Sequence, residues 1–138
     1  MPELIGVPSM EILSSRVLLR PVDPVATQHF YRHTLGLAVA REFGPANAPG
    51  LVFHLGNGLL EVSGARTASE PSSLQLWLQV RQVGEEVRRL RTAGVKVLRE
   101  PRTEPWGLIE AWIQDPDGTR IVLVQIPEDH PLRRDQRS

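Results

Sequence analysis

The sequence contains an internal repeat, and this repeat constrains the fold more than any other feature. The segment GLAVARE begins at Gly36 and the segment GVKVLRE begins at Gly94, so glycine, valine, arginine and glutamate recur in register 58 residues apart. Similarity at a fixed offset is typical of chains built from repeated structural units. The sequence around one copy can therefore be compared with the sequence around the other.

A predicted strand and a predicted helix precede the first copy. The segment SRVLLRPV is extended in pattern, and Asp23 can act as an N-cap with Pro24 at the first helical position. The helix continues through VATQHFYRHTL and ends at Gly36, because glycine readily adopts the left-handed conformation that closes a helix.

The same order precedes the second copy. The strand LQLWLQV (74–80) is followed by a helix through VGEEVRRLRTA that ends at Gly94. Val83, Val87 and Leu90 recur in this helix at the spacing of one buried face. Its charged run EEVRRLR is typical of a solvated helix face.

Extended segments joined by turns follow each copy. In the first half, LVFHL and LLEV are separated by GNG, and in the second, GLIEAWIQ and TRIVLVQI are separated by DPDG. Each half is therefore predicted to be a βαβββ unit, too small to bury its sheet alone. The predicted α+β domain spans residues 12–127 and consists of module one (12–64), a linker (65–73) and module two (74–127). An extension (1–11) precedes it and a tail (128–138) follows it.

Composition excludes several classes of function. Sixteen basic residues balance sixteen acidic ones, so the basic excess typical of nucleic-acid-binding proteins is absent. The chain has no cysteine, which excludes disulfides and thiolate metal sites and fits a reducing compartment. Because it also lacks a signal-peptide pattern and a long apolar run, a soluble, cytoplasmic protein is expected, with no membrane partner.

Three features of the sequence carry a resemblance to a known family. The segment HFYRHTLGL, the order EPWG then DPDG, and the duplicated unit over residues 12–127 resemble the vicinal oxygen chelate superfamily. This superfamily includes glyoxalase I, extradiol dioxygenases, fosfomycin-resistance enzymes and bleomycin-binding proteins. The resemblance implies a U-shaped, partly closed half-barrel with helices outside and a pocket inside. It also implies a homodimer as a common form, although the sequence does not require one.

The resemblance also implies which strand faces line the pocket. Because side chains alternate along a strand, one face of residues 74–80 is apolar and the other carries Trp77 between two glutamines. The polar face is expected to point inward. The residues predicted to bind a ligand are Arg16, Arg20, His54, Glu61, Gln75, Trp77, Gln79, Glu110 and Trp112.

Metal ligation is not expected. The metal-ligand positions of the family correspond here to Arg16, Glu61, Gln75 and Val122, and Glu61 alone is a good ligand. The sequence instead predicts an ion pair between Arg16 and Glu61, with Gln75 hydrogen-bonded nearby. No cofactor is predicted.

The histidines do not alter this expectation. His29 and His33 share a helix face at a spacing that can bind metal, but they lack an accompanying glutamate and fit a surface pair. His54 either faces the pocket or is an ordinary strand residue. His130 lies in the predicted tail.

Three functional hypotheses remain open. The first is a metal-independent protein that binds a small organic molecule, with tryptophans stacking on it and Arg16, Arg20 and Glu110 fixing its polar ends. The second is a metal-dependent dioxygenase, lyase or isomerase, and the third is an interaction module with a closed groove. Alternatively, the charged residues belong to a solvated strand face, Trp77 and Trp112 fill a core, and Trp106 on the EPWG loop is either a lid or a packing residue.

Overall fold

The structure, a computed structural model, describes residues 11–67 and 74–131. The predictions for residues 1–10, for linker residues 68–73 and for tail residues 132–138 lie outside the described residues. No helix in the described ranges is long and apolar enough to cross a membrane.

Each half of the chain folds into the predicted order of elements. The elements of module one are β1 (Val17–Leu19), α1 (Pro24–His29), a π-helical segment (Phe30–Thr34), β2 (Val39–Phe43), β3 (Gly50–Leu55) and β4 (Gly58–Val62). The elements of module two are β5 (Gln75–Gln79), α2 (Val83–Thr92), β6 (Lys96–Thr103), β7 (Ile109–Gln114) and β8 (Arg120–Gln125).

The strands form two separate four-stranded mixed sheets with the same topology. The strand order is β1-β4-β3-β2 in the first sheet and β5-β8-β7-β6 in the second. In each sheet the first and last strands of the module pair in parallel, and the other pairs are antiparallel. The α+β fold of two tandem βαβββ modules is therefore confirmed, and the sheets do not close into a barrel.

The first helix begins as predicted but changes its winding. The Asp23 carboxylate accepts a hydrogen bond from the Ala26 amide at 3.1 Å, which caps the helix. After His29 the chain adopts a π-helical turn, in which the Leu35 amide donates to the Phe30 carbonyl at 2.8 Å. The predicted helix is therefore present, but its second part is π-helical, which the helical pattern of the sequence does not signal, and the adjacent Phe30 and Tyr31 are both buried there.

The helix-covered faces of both sheets share one hydrophobic core. The predicted stripe on α2 is buried, with Val83, Val87 and Leu90 at most 2% exposed. These side chains belong to the same cluster as the buried residues of module one, including Phe53 and Leu60. A cluster that spans both modules makes each module depend on the other for stability.

Polar contacts also join the modules, at the turn between β7 and β8. The buried Tyr31 hydroxyl donates to the Asp115 carboxylate at 2.7 Å. Asp117 accepts from the Val22 amide at 2.9 Å and forms an ion pair with Arg66 at 2.9 Å. The DPDG segment therefore closes a hairpin, as predicted, and also anchors module one.

Candidate functional site

Each sheet has a second face that the helices do not cover, and we call these the open faces. On module two, the strand register places Trp77, Val122, Trp112 and Arg99 side by side across β5, β8, β7 and β6. The alternation predicted for β5 is confirmed, because Leu76 is 4% exposed in the core and Trp77 is 48% exposed. Gln75 and Gln79 flank Trp77 on the same face.

Trp112 lies on the open face between two arginines. The Arg99 guanidinium carbon lies 4.1 Å from the indole centroid, and that of Arg120 lies 4.3 Å from it. Such distances permit cation–π attraction. These two contacts occupy the Trp112 ring, so Trp77 presents the more accessible indole of this face.

Two glutamates on module two already have partners. Glu104 is buried and pairs with both Arg99 and Arg102. Burial raises the pKa of Glu104, but the hydrogen bonds from the two arginines outweigh this effect and hold the pKa below its ordinary value. The buried Glu110 accepts a hydrogen bond at 2.9 Å from the indole N–H of Trp106. Trp106 itself is 58% exposed, on the loop before β7.

The open face of module one carries the predicted ion pair. Leu18 and Glu61 lie in register on this face, and the Arg16 guanidinium contacts a Glu61 carboxylate oxygen at 3.0 Å. The Ser63 hydroxyl donates to the other oxygen at 2.6 Å. The hydrogen bond from Ser63 lowers the pKa of Glu61 most, and burial opposes it, while Arg16 and the nearby Arg20 lower the pKa further.

The predicted hydrogen bond from Gln75 to this pair is wrong. Gln75 is exposed and, within the described residues, bonds to neither Arg16 nor Glu61. The physical reason is that β1 and β5 belong to different sheets, and every extensive contact between strands lies within one module. His54 is exposed on β3 opposite Leu59, on the side of the sheet that carries Glu61.

The residues at the metal-ligand positions of the family do not fit a metal. Both oxygens of Glu61 are engaged by Arg16 and Ser63, and Val122 offers no donor atom. In residues 11–67 and 74–131, no group of three histidine, cysteine or acidic side chains is close enough to hold an ion. This donor set supports no metal-dependent step.

Two arginines of the open face of module two, Arg99 and Arg120, are not among the residues that the sequence predicts to bind a ligand. Arg120 lies two residues before Val122, so the alternation used for the other strands would have placed it on this face. Arg99 gives no such signal, because β6 is irregular between Val97 and Arg99 and between Arg99 and Arg102. A β-bulge changes the face on which the following residues lie.

Two cavities formed by described residues border the helical segment 24–34. A cavity of about 330 Å³ lies between the modules, lined by Phe30, Thr34, Lys96, Gln114 and Asp115 among others. A second cavity, of about 210 Å³, lies beside α1 and is lined in part by His29 and His33, whose ring centroids are 4.9 Å apart.

The first residues of the predicted tail lie against the loop of module two that carries Trp106. A ring nitrogen of His130 lies 2.9 Å from the Trp106 carbonyl oxygen and forms a hydrogen bond with it. Gly107 adopts a φ of 93°, and a side chain at this position would contact the imidazole of His130 at 3.1 Å. His130 therefore supports the loop that carries Trp106.

Replacing Glu61 with glutamine should reduce the free energy of unfolding at neutral pH by less than about 1 kcal/mol, because solvent screens this partly exposed pair. The folded-state pKa of Glu61 is lowered, so its contribution is present above the unfolded-state pKa and is lost as the pH falls through the folded-state pKa. Urea unfolding of both proteins from neutral pH to about pH 3 should show the difference shrinking. A difference that stays constant would contradict this linkage.

A family model supports the resemblance that the sequence suggests. Residues 14–123 match the model described as Glyoxalase/Bleomycin resistance protein/Dioxygenase superfamily. No curated protein matches the chain significantly.

Solved structures share the fold at low sequence identity. TnmS3, an antibiotic binding protein from Streptomyces sp. CB03234, is 23% identical with a TM-score of 0.69, and the match covers 90% of this chain and 100% of TnmS3. TioX from Micromonospora sp. ML1 is 18% identical with a TM-score of 0.69, over 83% of this chain and 98% of TioX. A superfamily member from Sphaerobacter thermophilus DSM 20745 is 20% identical with a TM-score of 0.62, over 85% of this chain and 98% of that protein. The duplicated βαβββ fold and the match over residues 14–123 show that this chain belongs to the glyoxalase/bleomycin resistance protein/dioxygenase superfamily.

Proposed function

We propose that this protein binds a small organic molecule on its open faces, without metal-dependent catalysis, and acts by sequestration or sensing. The observation that carries the proposal is the 48% exposed indole of Trp77 on the open face of module two. Large aromatic side chains are normally buried, and an aromatic surface beside a few polar groups is typical of small-molecule sites.

The neighbours of Trp77 suit recognition of a small ligand. Gln75 and Gln79 supply donors and acceptors on either side of it, and Arg120 lies on the adjacent strand. Stacking on the indole would supply apolar contact, and these polar groups would orient the ligand. The fold is shared with TnmS3, described as an antibiotic binding protein, and antibiotics therefore belong in the panel of test compounds.

We further propose that the binding protein is a cytoplasmic homodimer. An open sheet face can contact only one side of a ligand. Leu18 on the open face of module one is 57% exposed, and Trp77 on the open face of module two is 48% exposed. If module one of one copy lay beside module two of a second copy, their two open faces would enclose a ligand between them and cover both side chains. The balanced charge of the chain fits a small-molecule partner better than nucleic acid, and the absence of cysteine fits the cytoplasm.

A metal-dependent enzyme of the same superfamily is the alternative. Metal analysis of protein purified without chelators should show less than stoichiometric Fe, Mn, Ni and Zn, because the donor set around Glu61 is engaged by Arg16 and Ser63. Stoichiometric metal would favour the enzyme. Sedimentation of the same preparation tests the homodimer.

A ligand screen tests the binding proposal directly. Antibiotics, catechols and α-keto compounds should be titrated while tryptophan emission is recorded, and hits confirmed by calorimetry. For any hit, Trp77→Ala should weaken binding at least about tenfold, which equals about 1.4 kcal/mol. Val25→Ala is the control, because Val25 is 79% exposed on α1, away from the open faces. Equal affinity in wild type and Trp77→Ala would contradict the proposed site.

A further inference from the structure

We infer that the ligand of this site is an aromatic anion, whose acid group pairs with Arg120 while its ring stacks on Trp77. This inference rests on the proposed function and adds the chemical class of the ligand. It depends on three properties of the open face of module two: whether its acidic groups are already paired, whether Arg120 is paired with a carboxylate, and where Arg120 lies relative to Trp77.

The acidic side chains of this face are already engaged within the protein. Glu104 pairs with Arg99 and Arg102, and Glu110 accepts from the Trp106 indole. A cationic ligand would have to displace these buried contacts. Displacing a partner of a buried carboxylate is costly, so the face is poorly suited to binding a cation.

Unlike these glutamates, Arg120 is not paired with a group of opposite charge in the described part of the chain. Within the described part of the chain, no carboxylate oxygen lies within 4.0 Å of its guanidinium, and the guanidinium carbon lies 4.3 Å from the Trp112 ring centroid. Arg120 is half-buried, with Gln75 and Gln114 in register on the two neighbouring strands. A guanidinium over an aromatic ring still has N–H donors in its own plane, and these can bind a carboxylate through two hydrogen bonds.

One small molecule can reach both Arg120 and Trp77. Trp77 is in register with Val122, so Arg120 lies diagonally from Trp77 on the adjacent parallel strand. The offset is about 4.8 Å between strands and about 6.6 Å along the strand, and both side chains are on the same face. These are backbone offsets, and the Arg120 guanidinium lies over the Trp112 ring on the other side of β8 from Trp77. A ligand that contacts both groups is therefore an extended one, such as a fused planar ring that carries a carboxylate at one end.

The matched probes are 2-naphthoate and 2-naphthamide, which differ in charge and share a ring system. Calorimetric titration at low salt should show that the wild-type protein binds the carboxylate at least about tenfold more tightly than the amide. The preference should decrease as salt is added, because salt screens a partly exposed ion pair. Equal binding of the two probes would overturn the inference.

Variants separate a role in ligand binding from a role in folding. Arg120→Gln should reduce carboxylate binding to the level of the amide and leave amide binding unchanged, while Arg120→Lys should retain part of the preference. Arg88→Gln, which removes the same charge from the exposed side of α2, should keep the full preference. An equal loss of both probes in Arg120→Gln would mean that Arg120 supports Trp112 rather than the ligand, and would overturn the inference.

Failure of this inference can be distinguished from failure of the proposed function. If neutral or cationic compounds in the panel bind in a Trp77-dependent manner and 2-naphthoate shows no advantage, the binding function stands and the anion preference is wrong. If no compound in either set binds, the proposed function fails, and the inference fails with it.

Discussion

Replacing Asp115 with alanine should lower the free energy of unfolding by about 3 kcal/mol or more. Asp115 is 4% exposed and accepts hydrogen bonds from the Tyr31 hydroxyl at 2.7 Å and from the amides of Asp117 at 2.9 Å and Thr119 at 2.8 Å. Truncation would leave three donors without an acceptor, in a turn that joins the modules. Each unsatisfied buried group costs about 1–3 kcal/mol. Urea denaturation followed by circular dichroism measures the effect.

Two variants control this prediction. Asp129→Ala removes an exposed aspartate and should change stability by less than about 0.5 kcal/mol. Asp115→Asn keeps an oxygen for the two amides and should cost much less than alanine. An alanine variant as stable as Asp129→Ala would contradict the structural role of Asp115.

The pH dependence of Asp115→Asn has a defined sign. Burial raises the pKa of Asp115, and the hydrogen bonds from Tyr31, Thr119 and Asp117 only partly offset it. Ionisation of Asp115 therefore opposes folding above its folded-state pKa, and this penalty is relieved as the pH falls through that pKa. Asparagine has no such penalty, so the stability of wild type relative to Asp115→Asn should increase on acidification.

Replacing Phe53 with alanine should destabilise both modules together, by about 3–5 kcal/mol. Phe53 is fully buried in module one, in the core cluster that also contains Leu90 and Ile113 of module two. All three tryptophans of the chain lie in module two. Because the core is shared, the unfolding transition detected by tryptophan emission should shift to lower urea together with the transition detected by circular dichroism.

A surface substitution is the control for this experiment. Leu13 is 86% exposed, and Leu13→Ala should leave both transitions in place. If Phe53→Ala leaves the tryptophan transition unchanged while circular dichroism becomes biphasic, the modules unfold independently. That result would contradict a single cooperative core.

Local chemistry made much of the fold predictable. Gly36 and Gly94 end their helices with φ values of 80° and 86°, and the Asp23 side chain caps its helix. These features were predictable because helix capping involves only residues close together in sequence. The faces of β5 follow from the alternation of side chains along a strand. The Arg16–Glu61 pair was predictable because β1 and β4 are neighbours within one module.

Irregular backbone hid other parts of the site. Simple alternation from Lys96 along β6 would place Arg99 on the same face as Val97, which packs against the core. The irregularity between Val97 and Arg99 brings Arg99 opposite Trp112 instead. Bulges and π-helical turns arise where packing outweighs the regular pattern, and neither has a reliable local sequence signature here.

The sequence by itself therefore determined the two repeated modules, their helix ends and the faces of most strands. Only the tertiary structure decided how the modules pack against each other, which left β1 and β5 in different sheets and brought Tyr31 to Asp115. The physical reason is that secondary structure depends on residues close in sequence, whereas Tyr31 and Asp115 are 84 residues apart and meet through burial of a shared core.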